Sequence, residues 1–293
     1  MHKHRSWEVL AAFGILFFGI LGSARADQGS GGPGYFANWF SRVDEAQSSQ
    51  PHWMTPLITV TPLLMEEVRY DQTTQHLGNG GTVYNYGGGK GLELIPTTTN
   101  EIIVNLPPYQ VRSHVNPVSG WGDAPFFLLK QRLLSGNEEQ GNYVVTAFLG
   151  VQAPTGAPAF TSNAWVITPT IAAGKGWGNF DVQATLSASI PTTQQNILGK
   201  AIITNAVIQY HLDKIFWPEF EISDTVWSGG LRGGMNQVIL TPGIILGRLH
   251  LTGRANLSIG AGYQFAVAPS LTKTPALTPL YDYGWVFTGR VTF

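Results

Sequence analysis

Six charged side chains and one histidine are the first candidates for chemistry: Glu219, Glu221, Arg254, Arg290, Lys130, Arg132 and His211. Each lies on the parity opposite the apolar residues of its stretch, beside uncharged polar residues such as Gln183, Asn205, Gln209 and Asn256. Charges placed this way suit the polar lining of a lumen or a cross-linking network rather than a reaction centre. Glu219 and Glu221 occupy adjacent positions of one parity, and such close like charges call for an Arg partner or a shared proton. Catalytic arrangements are missing. His76, His114, His211 and His250 are followed two residues on by Gly78, Asn116, Asp213 and Thr252, so no His-x-Ser pair forms. There is no G-x-S-x-G elbow. The run Gly87 to Gly91 around Lys90 lacks the full spacing of a phosphate loop, and the histidines lack metal-ligand spacing. The expectation is no enzyme, no metal and no cofactor.

The elements that must hold these residues are strands. From Pro56 onward, apolar and polar residues alternate. The clearest stretch is 251–267, where Leu251, Ala255, Leu257, Ile259, Tyr263, Phe265 and Val267 oppose Thr252, Arg254, Asn256, Ser258 and Gln264. The pattern predicts twelve strands: 56–70, 90–95, 101–106, 123–134, 142–153, 164–173, 178–190, 200–212, 215–227, 236–248, 251–267 and 282–293. Most exceed the ~5–6 residues usual in soluble sheets and reach the ~9–11 of a tilted membrane strand. From 71–89 onward, every other connection is longer than the next, as in an up-and-down barrel with long outer loops and short periplasmic turns. Across 90–106 the strands are short, and a ten-strand reading stands beside the twelve-strand one. The fold class is therefore all-β: a transmembrane up-and-down antiparallel β-barrel of about twelve strands. Its last strand carries Tyr283, Trp285, Phe287, Val291 and Phe293 on one face.

Composition fits. Charged residues are 12% of the chain, against the ~25% of ordinary soluble proteins, because an outer band in lipid needs few. The formal net charge of −1 argues against nucleic acid as a partner. With no cysteine, hydrogen bonding and packing must hold the fold. A basic start (His2, Lys3, His4, Arg5), an apolar run from Val9 to Gly22 and the site Ala24-Arg25-Ala26 predict a signal peptide 1–26. Residues 27–55 read as an N-terminal periplasmic segment or plug, and 56–293 as the barrel.

The run Gln50 to Leu63 (QPHWMTPLITVTPL), continued by Glu66-Glu67-Val68-Arg69-Tyr70-Asp71, resembles the opening strand of the outer-membrane "transporter" family named after the meta-pathway of phenol degradation. Gly122-Asp123 before Lys130-Gln131-Arg132-Leu133-Leu134, and Gly150 to Gly156, are similar to it as well. The resemblance covers about residues 50–293 and implies an outer-membrane barrel that helps small, often aromatic or hydrophobic compounds enter the cell. It assigns no site residue. A non-transporting structural or surface-interaction barrel is the alternative. Small inward residues (Ser187, Ser189, Ser258, Gly260, Gly262, Thr288) leave room and favour an open lumen. The partners expected are outer-membrane lipid, a small-molecule solute and the barrel-assembly machinery, for which the terminal Phe293 is the signal.

Overall fold

The computed structural model describes residues 34–87, 91–268 and 281–293, so the signal peptide lies outside the described residues. After helix α1 (Trp39–Ser48), the strands are β1 (Glu67–His76), β2 (Thr82–Tyr86), β3 (Gly91–Thr97), β4 (Asn100–Val104) and β5 (Tyr109–Ser113). Next come β6 (Val118–Trp121), β7 (Ala124–Gly136), β8 (Tyr143–Ala153), β9 (Val166–Trp177) and β10 (Phe180–Pro191). The last five are β11 (Lys200–Tyr210), β12 (Phe216–Ser228), β13 (Asn236–Thr252), β14 (Ala255–Ala268) and β15 (Tyr283–Thr292). All belong to one antiparallel sheet, which closes where β1 pairs with β15 from Glu67↔Thr292 to His76↔Tyr283.

These fifteen segments form twelve staves. The lower half of β1 pairs with β3 and its upper half with β2, so β2 and β3 are one interrupted stave. In the same way β5 continues β4, and β6 continues β7. Pro107 and Pro108 fall in the β4–β5 break, where a residue without an N–H cannot serve the ladder. The ten-strand alternative is thereby excluded.

Two boundaries differ from the sequence expectation. Among the described residues, the supposed long loops 71–89 and 107–122 are largely strand, with turns at 77–81 and 114–117. On upper β1 the outward positions are Gln72, Thr74 and His76, which pair with Phe287, Trp285 and Tyr283. Main-chain pairing beside aromatic neighbours leaves no apolar alternation in the sequence of β1 itself; His76 stacks on Tyr283 at 4.5 Å. The second difference is larger. The first strand begins at Glu67, not Pro56, and residues 50–66 make no strand pairing.

The outside carries the apolar parity: Leu186, Ile202, Ile208, Phe220, Ile222, Ile244, Ile259 and Phe287 are each exposed by 41–52%. Tyr263, Tyr283 and Trp285 cluster at the outer end, and Trp177, Phe180, Tyr210 and Phe216 lie at the end of the short turns. An apolar wall between two aromatic girdles is the surface of a protein that sits in lipid. Both ends of the barrel chain lie with the short turns, the periplasmic side in such barrels.

Candidate functional site

Residues 50–66 run through the barrel interior as an extended strap. Trp53, Met54, Thr55, Leu57, Thr59, Thr61, Leu63, Leu64 and Glu66 are all buried. A chain without strand pairing must satisfy its buried N–H and C=O groups elsewhere, and here wall side chains do it. Glu219 accepts from Leu57 N at 3.0 Å, while Glu221 accepts from Ile58 N at 2.7 Å and Thr59 N at 2.6 Å. Glu101 accepts from Met65 N at 2.6 Å. Strap carbonyls accept in turn from Arg290 (Thr55 and Pro56), Arg69 (Leu57), Lys130 (Leu63), Thr146 (Pro62), Gln183 (Met54) and Arg248 (Trp53). Carboxylates accept from these N–H groups, and cations, a hydroxyl and an amide donate to the carbonyls, from staves all round the barrel. Within the strap, Gln50 closes a loop by bonding both N and O of Leu64.

The strap's side chains seat against glycines of the wall. A Cβ on Gly243 would stand 2.4 Å from Leu57 Cδ1, one on Gly247 2.2 Å from Met54 Cε, and one on Gly174 2.4 Å from Trp53 Cζ3. Gly260 and Gly262 also border Leu57. The small inward residues thus leave room, as their types suggest, and the strap fills it. A core of Met54, Leu57, Trp217, Ile245 and Val286 lies on one side, and Leu64 packs with Val43, Ala46 and Ile95 on the other.

The sequence candidates take distinct places around this strap. Glu219, Glu221, Arg290 and Lys130 are buried on the inner wall and touch it directly. Arg132 is buried lower in β7 and donates to Ala46 O, Ser49 Oγ and Gln50 Oε1, bringing a cation to the C-terminal end of α1. Gln183 and Gln209 extend the Glu219 contact along the wall, with Gln209 Nε2 at 2.6 Å from Glu219 Oε2. His211 lies just past β11 and stacks on Trp217 at 4.0 Å and 7°. Arg254 departs from its expected position. It occupies the β13–β14 turn, not the lumen wall, because β13 runs on to Thr252 and the next strand starts only at Ala255. There it pairs with Asp44 of α1, over the Phe40 ring, and its guanidinium holds the Asp44 carboxyl below the usual range. The Glu219–Glu221 pair is met by strap N–H groups rather than by an Arg, since a bare main chain supplies donors wherever it passes. Arg69, Glu101, Gln50 and Arg248 carry no sequence signal of their role, because their strap contacts depend on where residues 50–66 run. Phe293 follows β15, and its N–H donates to Glu66 O.

Where the strap meets the periplasmic rim, a cavity of about 360 Å³ opens between His52 and Trp53 on one side and the turns after β7, β9 and β11 on the other. Glu138, in the β7–β8 turn, grips His52 twice, accepting from its N at 2.8 Å and lying 3.0 Å from its Nδ1. Partial burial pushes the Glu138 carboxyl up, but the His52 and Glu138 main-chain N–H groups and the His52 ring outweigh it and hold it below the usual range. A carboxyl lowered on folding stabilises above its unfolded pKa and loses that contribution as pH falls through the folded value. The rim clamp is therefore expected to be intact at neutral pH and to loosen in acid below the ordinary carboxylate range. Limited proteolysis of residues 49–55 across pH 7 to 3 reads this directly. The pH dependence should flatten in Glu138→Gln, and an unchanged profile in that variant would rule the clamp out.

A closed twelve-stave barrel with a lipid-facing belt and a polar interior defines a porin-like protein of the bacterial outer membrane. The chain belongs to the family described as "MetA-pathway of phenol degradation", whose sequence pattern matches residues 97–272. It is similar to an outer membrane channel from Pseudomonas putida F1, at 16% identity over 78% of this chain and 94% of that one, with a TM-score of 0.49. The NanC porin is similar at 9% identity, over 78% and 98% of the two chains, with a TM-score of 0.46. No curated protein matches it in sequence.

Proposed function

We propose that the protein is an outer-membrane channel for the uptake of small, hydrophobic or aromatic compounds, stoppered at rest by residues 50–66. The observation that carries this reading is how the stopper is attached. The strap sits across the lumen but shares no strand ladder with the wall; apart from the Phe293 N–H bond to Glu66 O at its end, side-chain hydrogen bonds and glycine sockets hold it. Such an element can leave without opening the sheet, whose twelve staves close by their own pairing. The indoles of Trp53 and Trp217 at the periplasmic mouth support an aromatic solute, and the family to which the chain belongs supports a link to phenol metabolism.

The test is conductance in planar bilayers and solute uptake into liposomes, comparing the full chain with a variant lacking residues 39–64. The shortened barrel is expected to conduct steadily and to admit small aromatic solutes, and the full chain to show small or intermittent currents. If the shortened chain folds, by heat-modifiable gel mobility, yet neither conducts nor admits solute, the protein is a structural barrel and the channel reading fails.

A further inference from the structure

The stopper leaves and re-enters the barrel wall at one side. Gln50 donates to Leu64 O at 2.8 Å and accepts from Leu64 N at 2.9 Å, so residues 51–63 form a loop with a single neck. Both legs of that neck are tied to neighbouring staves. On the incoming leg, Arg132 donates to Ala46 O and Gln50 Oε1, Ser135 Oγ to Ser49 O, and Asn137 Nδ2 to Ser48 O, all from β7 or the turn after it. On the outgoing leg, Glu101 of β4 accepts from Met65 N, and Glu66 accepts from Ile95 N of β3 and from the Trp39 indole of α1. Leu64, Val43, Ala46 and Ile95 close a buried apolar contact between the legs. The far end of the loop is held on the opposite wall. Leu57, Ile58 and Thr59 donate to Glu219 and Glu221 of β12, six staves round from the β4–β5 stave in a barrel of twelve.

Resting on the stopper reading above, we propose that the stopper is a hinged flap. Residues 51–63 swing away from β12 about the Gln50–Leu64 neck, while α1 and the neck stay docked. Covalent continuity decides which end moves. Residues 64–66 run straight into β1 of the closed sheet and cannot leave, and Gln50, the Trp39–Glu66 bond and the apolar contact tie α1 to them. The tip has no covalent tie to the wall it touches. Pro51, Pro56 and Pro62 fix φ within the span, which favours its movement as one stiff piece about the neck. The path so opened runs along β13 and β14, whose inward Gly243, Gly247, Gly260 and Gly262 the tip covers when closed.

The experiment is limited proteolysis of the folded full-length barrel in detergent, with fragments identified by mass, comparing the parent with Glu219→Gln, Glu221→Ala. Cleavage within 54–60 should rise about tenfold or more while cleavage within 39–49 stays within about twofold of the parent, since cutting follows the open population. Bridging Ser49→Cys to Ser135→Cys with a short thiol cross-linker, in a chain that otherwise has no cysteine, pins α1 to β7 and should leave that rise intact. Gly243→Val lifts the tip by its added bulk rather than by loss of a carboxylate, and gives the same reading should the double variant not fold. The proposal falls if 39–49 is cut along with 54–60, if the bridge restores protection, or if 54–60 stays protected in both variants. Proteolysis does not depend on conduction. A flap that swings in a barrel that conducts nothing without residues 39–64 would overturn the channel reading alone. A conducting shortened barrel, with α1 leaving together with the tip in the full chain, would overturn the hinge alone.

Discussion

Replacing Lys130 with methionine is expected to destabilise the folded barrel by about 3–5 kcal/mol, the usual cost of removing one partner from a buried ion pair. Lys130 Nζ lies 2.7 Å from Glu101 Oε1 and 3.8 Å from Glu93 Oε2, and all three side chains are completely buried. The same ammonium donates to Leu63 O on the strap and lies 5.5 Å from the centre of the Phe148 ring. Methionine keeps much of the volume and leaves two carboxylates inside the barrel with no cation between them. Glu101 also holds Met65 N, so it cannot turn away without orphaning a main-chain donor. The readout is the urea midpoint of the barrel folded in lipid vesicles. Lys130→Met together with Glu101→Gln and Glu93→Gln should recover part of the loss, because the uncompensated charge goes with the lysine. A single variant within about 0.5 kcal/mol of the parent would mean that water already screens this cluster.

The strands that face lipid directly were the legible part of this fold. In β10 and β14, apolar residues outside and mostly small or polar residues inside give clean alternation, because one face meets hydrocarbon. The strap resembles a first strand in sequence for a related reason. Met54, Leu57, Leu63 and Leu64 are apolar because glycine sockets and the lower core receive them, and residue type does not tell a socket from a lipid tail. One signal did argue against a strand. Pro51, Pro56 and Pro62 fall within a dozen residues, and a membrane strand tolerates few residues without an N–H. Beside those prolines, the inward Gly243, Gly247, Gly260 and Gly262 are the matching room for a buried segment. The bonds that hold the strap had no sequence signal of their own. Glu219 and Glu221 were visible as an inward pair of like charge, but their partners are main-chain N–H groups, which every residue except proline offers.

That mode of attachment predicts that the stopper can be freed while the barrel stays folded. In the double variant Glu219→Gln, Glu221→Ala, three strap N–H groups lose carboxylate partners, at Leu57, Ile58 and Thr59. Hydrogen bonds to a charged group contribute about 1.5–3 kcal/mol each, and a buried N–H left unpaired adds a penalty of its own. Residues 54–60 should then become accessible to protease from the periplasmic side, and single-channel currents should lengthen into sustained openings. Gly243→Val should reach the same state sterically, because its Cβ would stand 2.4 Å from Leu57 Cδ1 and the neighbouring wall is backbone that cannot yield. Combining the two should add little, since both release one element. Heat-modifiable mobility should be retained throughout, because the β1–β15 seam and every other ladder lie outside the strap. Variants that stay closed and protected would show that the apolar sockets alone hold the strap. Variants that lose the folded band would show that the strap supports the barrel wall rather than stopping it.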